Sequence, residues 1–285
     1  MLNTLRTSWS LIKSSAKVLQ SDKELIIFPI LSGIGVLLLS AVFIVPIILV
    51  GFFNTVAERG FQLVDYLILF FFYILQYLII FLCNTALVGA AMIRIRGGNP
   101  TVRDGLKIAI DRFVPIFFYA LIAATVGLLL SMIKNKGNTL TNIVVSIIGF
   151  VWNVATFLVV PVLAVEDVGP IDAIKRSVNY LKKTWGEQLV GSFSISAIFN
   201  LIIITLILLA VAAVVLVINL GGAAWVYVSI GIITIMLVLM ISLINATLTG
   251  IYTAAVYQFA TTGEAGTFFD PAVVRDAFHS TNTKI

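Results

Sequence analysis

"AIKRSVNYLKKTW", residues 173–185, places four basic side chains and no acid in one short stretch of a chain in which only 11% of residues are charged. Ile171, Ile174, Val178, Leu181 and Trp185 recur at spacings of three and four, which is one stripe of an α-helix, while Lys175, Arg176, Lys182 and Lys183 fall on the remaining surface. A helix too charged to span a bilayer, with tryptophan on its apolar stripe and an apolar run directly behind it, is expected to lie in the interfacial plane.

The rest of the chain supplies the bilayer. Of 285 residues 60% are hydrophobic, far outside the composition of a soluble domain. The longest runs without Asp, Glu, Lys or Arg are 25–57, 66–93, 113–133, 137–165 and 188–263. A helix needs about 20 apolar residues to cross hydrocarbon, so the first four runs hold one span each. The last holds two, divided at Asn219–Gly222. The expected fold is an all-α membrane protein with six transmembrane helices in a single domain, 1–285. A β-barrel would show segments of alternating polarity of about 10 residues instead. The first apolar run starts only at Leu25 and is too long for a signal sequence, so no cleaved leader is expected.

Basic residues near short loops are retained on the cytoplasmic side. The N-terminal segment, the second-to-third and fourth-to-fifth connections and the tail carry 15 of the 18 Lys and Arg, against three, Arg59, Lys134 and Lys136, on the opposite side. Both termini are therefore expected in the cytoplasm. The net charge of +5 reports topology, and nucleic-acid binding is not expected.

The basic interfacial device recurs. Leu2, Leu5, Trp9, Ile12, Ala16 and Leu19 keep the same three-four spacing, with Arg6, Lys13 and Lys17 off the stripe. Residues 11–21 and 173–183 share Ile-Lys-x-Ser-x-x-x-Leu at Ile12, Lys13, Ser15, Leu19 and Ile174, Lys175, Ser177, Leu181. In "GLKIAIDRF", 105–113, Leu106, Lys107, Ala109 and Phe113 fill the same places, flanked by Arg103 and Arg112, and a truncated echo stands at Val274, Arg275 and Ala277. The chain thus reads as three units of basic interfacial helix plus transmembrane hairpin, about 2–96, 101–168 and 171–260, followed by a cytoplasmic tail, 261–285. Trp9 and Trp185 are the expected interfacial anchors. Arg6, Lys13, Lys17, Arg103, Lys107, Arg112, Lys175, Arg176, Lys182 and Lys183 are the expected contacts to anionic lipid.

Each even-numbered span carries an asparagine at a similar distance before a Pro-led restart, with an insertion in the last, in "CNTALVGAAM", "WNVATFLVVP" and "INATLTGIYT". Asn84, Asn153 and Asn245 either glue helices together or form a polar ring lining a path or head-group pocket. Gly89 and Gly250 stand five residues after their asparagines, and Thr85/Gly89 and Ala246/Gly250/Ala254 recur at four-residue spacing, which allows close helix approach. Leu158 interrupts this pattern in the second unit.

Absences narrow the function. No span holds an evidently buried ionisable residue, which disfavours ion-coupled transport. One Cys and one His, Cys83 and His279, leave no metal, haem or disulfide cluster, and no cofactor is expected. Glu166 and Asp167 are adjacent and point to different helix faces, so they form no catalytic pair; as boundary acids they, like Glu24, are expected to be solvated or helix-capping. No catalytic residue is identified.

"SWSLIKSSAKVLQSDKELIIFPILSG", 8–33, resembles a prokaryotic family of six-span membrane proteins of unknown function. "PVLAVEDVGPIDAIKRSVNYLKKTWGE", 161–187, is similar to the membrane domains found beside glycerophosphodiester phosphodiesterases. The resemblance implies a multi-pass protein of the prokaryotic inner or plasma membrane and brings no catalytic residues. The sequence therefore points to a non-enzymatic scaffold or lipid-interacting module on the cytoplasmic leaflet, with anionic lipids as partners and self-association or a membrane-protein partner. The alternative is an uncoupled channel or permease through the asparagines.

Overall fold

The computed structural model describes residues 2–49, 56, 58–60, 62–136, 138–183, 188–221, 223–264 and 266–269; the side chains of 2–11, 135, 136, 183 and 188–195 lie outside the description. Among the described residues every regular element is helical. In chain order they are α1 (Leu2–Ser21), a 3-10 turn (Lys23–Ile26), α2 (Ile27–Leu49), α3 (Leu63–Ile95), α4 (Val102–Asp111), α5 (Phe113–Lys136), α6 (Thr139–Ala155), α7 (Val159–Val165), α8 (Pro170–Lys183), α9 (Gln188–Asn219) and α10 (Ala224–Thr262).

Six helical segments are long and apolar enough to cross a membrane: Lys23–Leu49, Leu63–Ile95, Phe113–Lys134, Thr139–Val165, Ser196–Asn219 and Ala224–Thr262. They coincide with the spans read from the sequence. The last apolar run divides where expected, with α9 ending at Asn219 and Gly221 turning at a φ of +70°, which glycine adopts without the steric cost of a Cβ.

Two details depart from the apolar runs. Span 2 begins at Leu63, so that Asp65 falls in its first turn, where it is buried. The guanidinium of Arg59 donates to both carboxylate oxygens of Asp65 at 2.7 and 3.0 Å, and the Gln62 amide donates at 2.8 Å. Span 4 is two helices rather than one, separated by a turn at Thr156–Leu158. Proline at position 161 has no N–H to donate to the Phe157 carbonyl; in the turn the Phe157 amide donates to the Val154 carbonyl at 3.2 Å, and the Leu158 amide donates to the Ser177 hydroxyl at 3.1 Å.

Helices α1, α4 and α8 are the short amphipathic ones, and each packs on the end of a span. Helix α4 lies on α3; α8 lies on α7 and also touches α5, α6 and α10; α1 lies on α9 and α10. The faces they turn inward carry small side chains. Ser15 in α1, Gly105 and Ala109 in α4, and Ala173 and Ser177 in α8 are all buried. Gly105 is required: a Cβ there would stand 2.4 Å from the Phe28 ring and 2.7 Å from the Ala86 carbonyl oxygen. The larger apolar residues of the same helices divide. Ile12, Val18 and Leu181 are buried, whereas Ile110 and Ile171 are 68% and 61% exposed, as is Phe113, which opens α5 just past α4, at 45%. The inward face of α8 thus overlaps the apolar stripe at Ile174 and Leu181, and Ile171 of that stripe is left to the surroundings.

The core lies at one end of the bundle. It comprises Thr85–Met92 of α3, Leu158–Ala164 around α7, and Thr247–Gln258 of α10, beneath the three amphipathic helices. Hydrogen bonds close this end across the sequence. Arg94 donates to the Ser21 carbonyl at 3.0 Å and to its hydroxyl at 3.2 Å; Arg96 donates to Gln258 at 3.0 Å; the Val102 amide donates to Glu24 at 3.0 Å, so Glu24 caps α4. Beyond α10 the chain folds back, with the Thr267 amide donating to the Ile95 carbonyl.

Candidate functional site

Each of the three asparagines stands where its span enters the core. On α3 the buried run starts at Thr85, directly after Asn84; on α10 it starts at Thr247, two residues after Asn245; in span 4 it starts at Leu158, after Asn153. Before those points the side chains of α3, α6 and α10 are almost all exposed or half-buried, as lipid-facing residues are.

The three do not share one cavity. Asn84 and Asn245 line a half-open groove of about 390 Å³ between α3, α10, the turn before α7, and α9, together with Ser196, Thr249 and Thr253. Its apolar wall is Val88, Phe157 and Val160, and none of its lining residues is charged. Asn153 is exposed and lines a separate recess of about 300 Å³ with Tyr77, Tyr119, Trp152 and Thr156. In the first groove Asn245 Oδ1 and Thr249 Oγ1 are buried with no hydrogen-bond partner among the described residues. Helix approach beside it is close: a Cβ on Gly250 would fall 2.4 Å from Leu87 Cδ2, and one on Gly89 would fall 2.9 Å from Ile108.

The basic residues fall into two sets. Lys13, Lys17, Arg103, Lys107 and Lys182 are exposed. Lys175 pairs with Asp172 at 3.1 Å, while Arg112 pairs with Asp167 and Arg176 with Glu166. The side chains of Arg6, Trp9 and Lys183, all of Trp185 and the echo at 274–277 lie outside the described residues.

Glu166 is the residue whose role sequence reasoning missed. Its side chain is 13% exposed, and it accepts hydrogen bonds from the hydroxyls of Tyr180 at 2.9 Å and Tyr257 at 2.8 Å in addition to Arg176. Burial acts to raise its carboxyl pKa, but the two hydroxyls and the guanidinium outweigh that and hold it below the ordinary value. The carboxylate therefore ties the end of span 4 to α8 and α10. Its partners stand 14 and 91 residues away, at separations no local pattern encodes.

A family model described as "Family of unknown function (DUF6159)" matches residues 63–268, from the start of α3 to the turn after α10. The chain belongs to this family. The matched region holds all three asparagines, Glu166 and the helices α4 and α8; α1 and α2 precede it. No curated protein matches the chain. As a member of DUF6159 with six membrane-crossing helices, it is a multi-pass membrane protein of a family without an assigned activity.

Proposed function

We propose that this protein is a non-enzymatic module that grips the cytoplasmic leaflet of a prokaryotic cell membrane through a collar of three basic amphipathic helices, with both termini on that side. One observation carries the reading. Helices α1, α4 and α8 seat small residues against the bundle, expose Lys13, Lys17, Arg103, Lys107, Lys175 and Lys182, and in α4 and α8 leave Ile110 and Ile171 uncovered. Apolar side chains beside lysines suit insertion at the level of lipid head groups. Near an anionic leaflet each Lys or Arg contributes about 1 kcal/mol, screened within a Debye length of about 8 Å.

The same contacts support the three-unit reading. Helix α4 follows span 2 and packs on it, α8 follows span 4 and packs on it, and α1 packs on span 6, as the next unit of a closed ring would. Ser15, Ala109 and Ser177, which occupy one position of the sequence repeat, are all buried. Phe113, the counterpart of Leu19 and Leu181, departs from the pattern by being exposed. The work of such a ring is to hold or organise lipid, alone, as a self-associated assembly, or beside another membrane protein; the likeness to phosphodiesterase-associated membrane domains leans the same way.

Hydrogen–deuterium exchange in nanodiscs tests this. Amides of α4 and α8 should gain protection when phosphatidylcholine is replaced by a mixture containing phosphatidylglycerol. A Lys107→Glu/Lys182→Glu variant should lose that gain. Equal exchange in both lipids would remove the proposal.

A second reading, an uncoupled permease, draws on the groove at Asn84 and Asn245. It requires solute flux into proteoliposomes that falls when Asn84 and Asn245 become leucine, with Asn153→Leu as the arm for the separate recess.

A further inference from the structure

From Leu63 to Asn84, and from Ala224 to Asn245, α3 and α10 each run 22 residues, about 33 Å at 1.5 Å per residue. That is the thickness of a hydrocarbon core, about 30 Å. If the outer ends of these helices lie at one boundary of the core, the two asparagines lie at the other, where the glycerol backbone and first carbonyls of the inner leaflet sit. The groove they share is therefore at leaflet-edge depth, beneath the collar and bordered by lipid-facing helix surface.

We propose that this groove binds a neutral, hydroxyl-bearing glycerolipid of the diacylglycerol class, an assignment that rests on the collar facing that leaflet. Three features select the ligand. None of the lining side chains is charged, so a phosphate would enter without a counter-ion, at the desolvation cost of an unpaired charge. Asn245 Oδ1 and Thr249 Oγ1 are buried acceptors lacking partners, and a lipid hydroxyl can donate to one of them while accepting from a neighbouring amide or hydroxyl. The wall of Val88, Phe157 and Val160 offers an apolar surface to the start of an acyl chain, and about 390 Å³ accommodates a glycerol unit. The Ser196 hydroxyl adds a donor at the same level, and the Thr253 hydroxyl, which donates to the Thr249 carbonyl at 2.8 Å, keeps an oxygen able to accept.

The test uses the full chain in phosphatidylcholine nanodiscs with a diacylglycerol carrying a diazirine on one acyl chain. Phosphatidylcholine bearing the same chain is the control probe. After irradiation, labelling of the 245–253 region by the diacylglycerol probe should exceed that by the control at least fivefold, and unlabelled dioleoylglycerol should compete it away. An Asn245→Leu/Thr249→Val variant should lose most of the selective labelling. Ala246→Phe fills the groove from an exposed position and should do the same without altering the core. Equal labelling by both probes, or undiminished selectivity in either variant when monodisperse, would overturn the proposal. Exchange protection of α4 and α8 is read on the same protein preparation in parallel nanodiscs with and without phosphatidylglycerol. Selective labelling without that protection would support the groove while removing the collar; protection without selective labelling would remove the groove alone.

Discussion

The Leu158 backbone amide, freed by the break in span 4, donates to the hydroxyl of Ser177 on α8, 3.1 Å away and fully buried. Ser177→Ala leaves that amide without a partner in the core, at a cost of about 1–3 kcal/mol. Ser15 occupies the matching place in α1, but its hydroxyl has no partner among the described residues, so Ser15→Ala should cost much less. Denaturation of both variants in detergent measures the difference; equal losses would show that the Ser177 bond contributes nothing specific.

Gly105 meets a backbone atom that has no room to retreat. The Cβ introduced by Gly105→Ala would stand 2.7 Å from the Ala86 carbonyl oxygen as well as against the Phe28 ring. Overpacking of this kind costs about 1–3 kcal/mol and should loosen α4 from α3. At Gly250 the obstacle is the Leu87 side chain alone, so Gly250→Ala should be partly rescued by Leu87→Ala in a double-mutant cycle.

Glu166 should impose an acid dependence on stability. Its folded pKa lies below the ordinary value of 4.5, so its contribution is complete above that value and is lost as pH falls through the lower, folded one. The stability difference between wild type and Glu166→Gln should be flat from pH 7 to about 5 and shrink below that. Melting curves of the two proteins over pH 3–7 check this; parallel curves throughout would contradict it.

Arg94 fastens α1 to the end of α3 through the Ser21 carbonyl and hydroxyl, while also donating to the Gly98 carbonyl and to Asn99 at 3.2 and 3.1 Å. Lysine has a point charge in place of this fork. Arg94→Lys should therefore raise proteolysis near Ser21 and Asp22 several-fold while leaving the six spans inserted, as limited digestion would reveal.

Much of the architecture was legible because it is local. Apolar runs gave the spans, a Gly-containing gap gave the last hairpin, and three-four periodicity located α1 and α8. The stripe does not reveal which of its residues meet the bundle: Leu181 is buried beside Ala173 and Ser177, whereas Ile171 is exposed. Span 4 read as continuous because hydropathy does not register the amide that Pro161 lacks.

What the sequence by itself determined is that six apolar helices cross a membrane and that short basic amphipathic helices accompany them. Hydrophobic length and side-chain period depend only on residues a few places apart. The tertiary structure alone decided that Asn84 and Asn245 share a groove while Asn153 lines another, that α1 docks on the last span, and that Glu166 is held by Tyr180, Tyr257 and Arg176. Those outcomes depend on which helix faces meet, and complementary shape across distant segments selects the partners of a polar group once it leaves water.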